Sequence, residues 1–194
     1  HSDITYDVVP VINGAFFRFE EYLSRFFSSM ESLYLDPGMN KSEVQKALHH
    51  MVSQSGLRDS YVAMVCSRGR PKIPGSRDPR DCENHFFAWC VPYVHVIKPE
   101  IIDQGATAWI SQNVYRIPEE SVNPRVKNYH WGDFTQGIFE AKDNKLIFSE
   151  IGIKGVKPSP RVTLSLIFGR TDAYLHSDSS FISMCKFVRV FSQS

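Results

Sequence analysis

Lys127 is the residue of this sequence best placed to act as a nucleophile. It lies between Val126 and Asn128, just before the aromatic, glycine-broken start of a predicted helix. An amine held against apolar residues loses hydration, its pKa falls, and the neutral form attacks carbonyl groups. The competing interpretation is a hydrated surface lysine with no chemical role.

Arg25 is the second candidate, on a predicted amphipathic helix. It lies at the border of the apolar stripe, about 60° beyond Tyr22 around the helix axis. One interpretation is an arginine whose aliphatic stem covers the core while its head stays in water. The other is an arginine at the rim of a pocket, where its fork of donors matches the oxygens of a phosphate.

The cysteines and histidines predict no metal site. No C-x-x-C pair occurs among the four cysteines, which are Cys66, Cys82, Cys90 and Cys185. This pattern disfavours a zinc knuckle or a redox motif and favours a reducing cytoplasm. His49 and His50 are neighbours on a predicted helix and point about 100° apart, so we expect surface histidines.

The segment SRGRPK, which contains Arg68 to Lys72, resembles the core of an AT-hook, a motif that lies along the DNA minor groove. Such hooks belong to basic, disordered tails, whereas this one follows an apolar strand pattern. The formal net charge of +1 gives no bulk attraction to nucleic acid or to anionic membranes. We therefore expect no nucleic-acid partner.

The composition is that of a soluble globular protein, with 42% hydrophobic and 22% charged residues among 194. No apolar run approaches the roughly 18 residues of a membrane span, and the first residues lack the features of a signal peptide. They also lack a starting methionine and continue directly into a strand pattern. We expect a cytoplasmic protein without a membrane partner, and a sequence that begins inside a longer one.

The elements that must position Lys127 and Arg25 begin with two strands, TYDVVPV and AFFRF, joined by an Asn-Gly turn. Helical spacing of apolar residues follows in FEEYLSRFFSSMESLYL, up to Pro37 and Gly38. A second helix begins at the cap Asn40, with Glu43 completing a capping box, and ends at Gly56.

Three more strand-like runs follow: SYVAMVC, HFFAWCVPYVHVI and ATAWISQNVY. A long Arg/Pro/Gly-rich loop separates the first two, and loops of such length are usually functional. The order of elements predicts an α+β fold, in which a mostly antiparallel sheet layer is covered by two helices. We expect the start of a second, truncated α/β domain to follow this layer.

The segment RIPEESVNPR is the predicted linker, and YHWGDFTQGIFEAKD begins another helix, with Phe134, Ile138 and Phe139 on one side. From about Asn144 the sequence turns basic and serine-rich, without helix caps. We expect no strands from this tail that would pack on the helix.

Two segments together resemble the class IV (fold-type IV) aminotransferases, which use pyridoxal 5'-phosphate (PLP). They are HSDITYDVVPVINGAFFRFEEYLSRF and NPRVKNYHWGD, and with the helices between them the resemblance covers roughly residues 1–143. The opening is most similar to the (R)-selective amine transaminases. Branched-chain amino-acid enzymes more usually carry a Tyr-Gly-Asp-Gly strand there.

Carried over residue by residue, the resemblance implies roles for three side chains. Lys127 matches the lysine that binds PLP covalently and, once substrate displaces it, moves the proton. Arg25 matches the arginine that holds the cofactor phosphate, and Tyr6 matches a tyrosine that walls the substrate pocket. The loop after Arg68 corresponds to the family's substrate-gating loop.

The sequence departs from the family in that loop and in the tail. Pro74 stands before a Gly-Ser pair where the fungal (R)-selective enzymes carry an arginine, so Arg77 is the candidate partner of a substrate carboxylate. After Asn144 nothing matches the family's Thr-Glu-Gly segment, whose glutamate pairs with the pyridine nitrogen. We expect residues 144–194 to come from a shifted reading frame or an unrelated joint, to pack loosely and to make no cofactor contact; the alternative is a divergent C-terminal half.

The expected domains are an N-terminal small domain over 1–117, the start of the PLP-binding large domain over 118–143, and the tail over 144–194. The family's sites form between two subunits, so the resemblance implies a homodimer. Aromatic residues available for such a contact are Phe86, Trp89 and Tyr93.

Three functions remain open at this point. The first is a transaminase that moves an amino group between an amine or branched-chain-type amino acid and a 2-keto acid. The second is a PLP-dependent lyase of the same fold, similar to aminodeoxychorismate lyase, since a fold does not fix a reaction. The third is a non-catalytic fragment of such an enzyme.

Overall fold

The fold is described from a computed structural model. The residues that it describes are 3–95, 106–145, 148–152 and 188–191. The chain divides into two compact units. The first consists of His1–Val94 and Val126–Tyr129, and the second of His95–Arg125 and His130–Ser194.

The first unit is built on a four-stranded antiparallel sheet in the order β2-β1-β3-β4. Its strands are β1 (Ile4–Ile12), β2 (Ala15–Phe16), β3 (Ser60–Pro71) and β4 (Cys82–Pro92). A tight turn joins β1 to β2, as the Asn-Gly pair predicts, with both turn residues at positive φ.

Two helices cover this sheet, α1 (Phe19–Ser32) and α2 (Lys41–Ser55). Asn40 and Glu43 form the predicted capping box at the start of α2. The apolar stripe of α1 packs on the inward side chains of the sheet, and the buried core consists of Val9, Val11, Phe19, Leu23, Phe26, Met30, Leu35, Val44, Leu48, Val62, Met64 and Cys66. The predicted α+β architecture is confirmed.

Helix α1 ends earlier than Pro37 because a side chain from the sheet caps it. Tyr34 adopts a positive φ of 53°, which takes the chain out of the helix. The guanidinium of Arg68, on β3, donates to the carbonyl oxygens of Leu33 and Tyr34. A cation at a helix C-terminus satisfies the last carbonyls and complements the helix dipole.

The long loop expected after residue 66 is mostly a hairpin. Strand β3 continues to Pro71, and a short 3₁₀ turn, Pro79–Asp81, leads into β4. A β-bulge between Ser67 and Arg70 accommodates Gly69. The loop prediction missed the continued pairing of β3 with β4. The reason is that Arg-Gly-Arg-Pro shows no alternation of apolar and polar residues.

The second unit contains a three-stranded parallel sheet in the order β6-β5-β7 and one helix. Its elements are β5 (Ala106–Tyr115), α3 (Gly132–Asp143), β6 (Phe148–Gly152) and β7 (Val188–Phe191). No helix in the described part of the chain is long and apolar enough to span a membrane.

Three expectations for this region are corrected. Strand β5 was assigned to the first sheet, but it pairs with β6 and β7, so the boundary expected after residue 117 falls inside the second unit. The tail does supply two strands. Helix α3 buries Gly137 and Ala141 while Ile138 and Phe139 are exposed, so its buried face is not the one predicted from its largest side chains.

Candidate active site

The backbone of Lys127 is fixed along the edge of β1. The hydroxyl of Thr5 donates to the Lys127 carbonyl at 2.6 Å, and the N–H of Tyr6 donates to the same oxygen at 3.4 Å. An isolated antiparallel bridge pairs Thr5 with Asn128. Strand β2 pairs only with the last residues of β1, so the first half of this edge needs another partner, and the lysine segment supplies it.

The side chain of Lys127 lies beside a pair of stacked tyrosines. Its Nζ is 4.8 Å from the centroid of the Tyr6 ring, within range of a cation–π contact. The Tyr6 ring is stacked on that of Tyr129, with centroids 4.1 Å apart and planes 3° from parallel. Tyr6 is buried and Tyr129 is partly exposed.

Partial burial raises the pKa of Tyr129, and the neighbouring Tyr61 adds to the effect. Burial likewise raises the pKa of Tyr61, with a further contribution from the charge of Asp7. Both shifts favour the neutral, hydrogen-bonding form of the phenol.

Arg25 lies on α1, where it is bound by a fully buried carboxylate. Its Nε donates to Oδ2 of Asp7 at 2.6 Å, and its Nη2 donates to Oδ1 at 2.7 Å. The Asp7 side chain is 1% exposed and that of Arg25 is 25% exposed. The guanidinium also lies over the ring of Tyr22, 5.0 Å from its centroid.

Three consecutive residues of β1 thus hold both candidate residues. Thr5 fixes the backbone of Lys127, Tyr6 contacts its amine, and Asp7 binds the guanidinium of Arg25. Chemically the pair offers an amine that can attack an aldehyde and a planar cation that can bind a phosphate. These two functions match the aldehyde and the phosphate of PLP, so the donor chemistry of the two residues fits that cofactor.

The other predicted residue, Arg77, is not brought to this arrangement. It is exposed in the β3–β4 hairpin and makes no side-chain hydrogen bond or ion pair within the described residues. Its role toward a substrate carboxylate stays a prediction.

The DNA-binding interpretation of SRGRPK is contradicted by the position of Arg68. This residue is buried, and its guanidinium is bound to Asp3 as well as to the end of α1. A guanidinium bound in this way cannot enter a minor groove.

Asp7 and Tyr129 are the site residues that sequence reasoning missed. Strand alternation places Asp7 on the same side of β1 as the core residues Val9 and Val11, and a carboxylate on such a face requires a buried partner. That signal was available in the sequence. For Tyr129 the sequence contains no such signal except that the residue lies two positions after Lys127.

A surface cleft beside the second half of α1 contains neither candidate residue. Phe27, Met30, Leu35 and Lys41 are among the residues that line it. Within the described residues, no group of three or more His, Cys, Asp or Glu side chains is arranged to hold a metal ion.

In the second unit, two polar clusters fix α3 to β5 and its continuation. Glu140 accepts hydrogen bonds from the indole N–H of Trp109 and the hydroxyl of Ser111. Asp133, in the first turn of α3, accepts from Arg116 and from the backbone N–H of Ile117. Both clusters have a structural role.

Comparison with known proteins identifies a family. The family model described as amino-transferase class IV matches residues 5–150. A Methanocaldococcus jannaschii protein, provisionally assigned as a branched-chain-amino-acid aminotransferase, is 25% identical over 132 residues, which are 68% of this chain and 43% of that protein. The D-alanine aminotransferase of Listeria monocytogenes is 28% identical over 68 residues, which are 35% of this chain and 24% of that protein.

Solved structures show the same fold. The branched-chain aminotransferase of Thermoproteus uzoniensis, solved with norvaline, matches with a TM-score of 0.68 at 19% identity, over 79% of this chain and 52% of that chain. The branched-chain amino acid aminotransferase of Thermobaculum terrenum, solved in its PLP form, matches with a TM-score of 0.62 at 19% identity, over 76% of this chain and 49% of that chain. The chain therefore spans about half the length of these structures and less than half of the M. jannaschii relative.

Proposed function

Because this chain belongs to the class IV aminotransferase family, we propose that it carries the lysine-bearing part of a PLP-dependent aminotransferase. The observation that carries the proposal is the arrangement around β1, which holds an amine and a guanidinium through three consecutive residues. PLP, when bound, withdraws electrons from the substrate carbon and so permits the amino group to move.

Lys127 would hold the cofactor through its aldehyde, and Arg25 through its phosphate. Tyr6 would then form one wall next to the reacting carbon, since its ring already contacts the lysine amine. Lys127 is also the group that would carry the proton between substrate and cofactor positions, because its amine becomes a free base once substrate displaces it from the cofactor.

The substrates we propose are a branched-chain-type amino acid and a 2-keto acid. Support comes from the M. jannaschii relative and from the two branched-chain aminotransferases of the same fold. An amine donor is the alternative, supported by the likeness of the opening segment to the (R)-selective amine transaminases.

We also propose that the chain forms a homodimer through the outward face of β4. That face carries a row of apolar side chains, Phe87, Trp89 and Val91, and continues to Tyr93; all four are exposed. Phe86, expected on this surface, instead packs toward Phe26 in the core, because strand alternation turns it inward. An exposed apolar row of this length is typical of an interface.

The decisive test is covalent capture of PLP. The full 194-residue chain is mixed with PLP and reduced with borohydride, and its peptides are mapped by mass spectrometry. We expect the adduct on Lys127, because this amine is partly buried beside Tyr6 whereas Lys142 and Lys145 are exposed.

Two variants complete this experiment. Lys127→Ala should lose the adduct while keeping its near-ultraviolet dichroism, since the side chain is not a large apolar core element. Lys142→Ala is the matched control and should retain the adduct on Lys127. An adduct on Lys142 or Lys145, with Lys127 unlabelled, would refute the proposed site.

A further inference from the structure

We propose that Asp7 is the positioning residue for the phosphate-binding arginine: its buried carboxylate sets the direction in which Arg25 presents its guanidinium to the cofactor phosphate. This inference rests on the proposed function and extends it, because it gives Asp7, which contacts Arg25, a role in the selection of the phosphorylated cofactor.

The geometry of the pair is the first argument. Asp7 binds the side of the guanidinium formed by Nε and Nη2, at 2.6 and 2.7 Å. A guanidinium is planar and rigid, so two bonds on one side fix where the other side, formed by the remaining Nη1 and Nη2 hydrogens, must point. That side faces away from Asp7, and this orientation follows from the Asp7 contacts alone, whatever other groups also reach the guanidinium.

The rigidity of Asp7 is the second argument. Its side chain is 1% exposed, and one of its oxygens also accepts the backbone N–H of Val8 at 2.7 Å. The carboxylate therefore cannot turn with its partner. Arg25, by contrast, is one quarter exposed and has a long flexible stem, so the fixed end of the pair is Asp7.

A second arginine–aspartate pair in the same unit shows what a purely structural contact looks like. Arg68 binds Asp3, but it also donates to the carbonyls of Leu33 and Tyr34. Its side chain is 9% exposed, and Asp3 is the more exposed partner at 42%. In that pair the arginine is enclosed and the carboxylate is accessible, which is the reverse of Asp7 and Arg25.

Two consequences of removing the Asp7 charge oppose each other. Loss of a negative charge near the phosphate strengthens the attraction of Arg25 for it. An asparagine amide can accept only one of the two hydrogen bonds, since its nitrogen donates, and loss of the two-bond contact lets the half-buried guanidinium turn toward water and lose its direction. We expect the second effect to prevail, because bidentate binding of phosphate depends on the angle of the fork as well as on charge.

The test compares PLP with pyridoxal, which has the aldehyde but no phosphate. Each compound is titrated against the full chain, and capture on Lys127 after borohydride reduction is measured by mass spectrometry. The preference for PLP is the ratio of the two concentrations, pyridoxal over PLP, that give half-maximal capture on Lys127. Asp7→Asn should lower this preference by about tenfold, whereas a general loss of stability affects capture of the two compounds equally.

Three further variants isolate the cause. Asp3→Asn, the matched control, removes the carboxylate that binds Arg68 and should leave the preference unchanged. Arg25→Met should abolish the preference, and adding Asp7→Asn to Arg25→Met should change nothing more, because Asp7 acts through Arg25. The double variant also removes both members of the pair, which is better tolerated in a folded chain than an unpaired charge.

If Asp7→Asn does not fold, as judged by its near-ultraviolet dichroism, Asp7→Glu is used to test the inference. It keeps the charge but displaces the guanidinium by the length of one methylene, so the preference should still fall. An unchanged or increased preference in a folded Asp7 variant overturns the inference while leaving the proposed function intact. Absence of Lys127 capture in the unsubstituted chain overturns the proposed function and the inference together.

Discussion

Gly69 lies where β3 and β4 approach too closely for a side chain. Its φ is +71°, and a Cβ built there would be 1.8 Å from the carbonyl oxygen of Glu83. We expect Gly69→Ala to lower the free energy of unfolding by about 2 to 4 kcal/mol, because left-handed strain and displacement of the β4 backbone add together.

Gly75→Ala is the matched control for this change. Gly75 lies in the same hairpin at a φ of +80°, but no atom would lie within 4 Å of its Cβ. Only the backbone strain remains, so we expect Gly75→Ala to lower the free energy of unfolding by about 1 kcal/mol. Urea unfolding followed by circular dichroism measures both variants, and equal losses would show that the close approach to Glu83 is not what Gly69 is needed for.

At the same scale, the sequence identifies the groups of the candidate site better than it identifies their supports. Lys127 and Arg25 stand out by residue type and by family resemblance, and β1 holds both. Asp7 is visible only as a charged residue on an apolar face. Its partner cannot be read from the sequence, because the choice depends on how α1 is rotated over the sheet.

At the scale of elements, the contact between Arg68 and the end of α1 joins a helix to a strand. We expect Arg68→Ala to lower the free energy of unfolding by about 2 to 4 kcal/mol, because two carbonyl oxygens and the Asp3 carboxylate lose a buried donor. Hydrogen exchange should also accelerate in the last turn of α1.

Arg80→Ala gives the comparison for that prediction. Arg80 pairs with Asp78, but its side chain is 88% exposed. An exposed ion pair contributes little to stability, so Arg80→Ala should leave the free energy of unfolding nearly unchanged. If the two alanine variants unfold at the same urea concentration, capping by Arg68 does not stabilise α1.

The limits of prediction differ between elements. The bounds of β5 are confirmed, and α2 is confirmed with its capping box, since periodicity and caps are local signals. The end of α1 was misplaced because Arg68, 35 residues away from Leu33, determines it. The sheet to which β5 belongs was also misassigned, because parallel pairing with β6 and β7 depends on residues far along the chain.

For the whole molecule, the outward face of β4 determines the expected assembly. We predict that the chain sediments as a homodimer and that Trp89→Lys shifts it toward monomer. Trp89 is 38% exposed and is stacked with Phe87 at 6.0 Å, so a charge there would be buried by a partner subunit.

Tyr34→Lys is the control for assembly. Tyr34 is 89% exposed and follows the end of α1, outside the apolar row of β4. The Tyr34→Lys substitution should leave the sedimentation coefficient unchanged. A monomeric unsubstituted chain with native near-ultraviolet dichroism would count against the proposed interface.

The pairing of Thr5 with the Lys127 carbonyl joins residues that are 122 positions apart in the chain. A ribosome therefore releases β1 long before the segment that completes its edge. Until residues 126–129 emerge, the first half of β1 offers unpaired backbone groups to any other extended chain. Nascent chains that stop short of this segment should accordingly depend more on chaperones than those that include it.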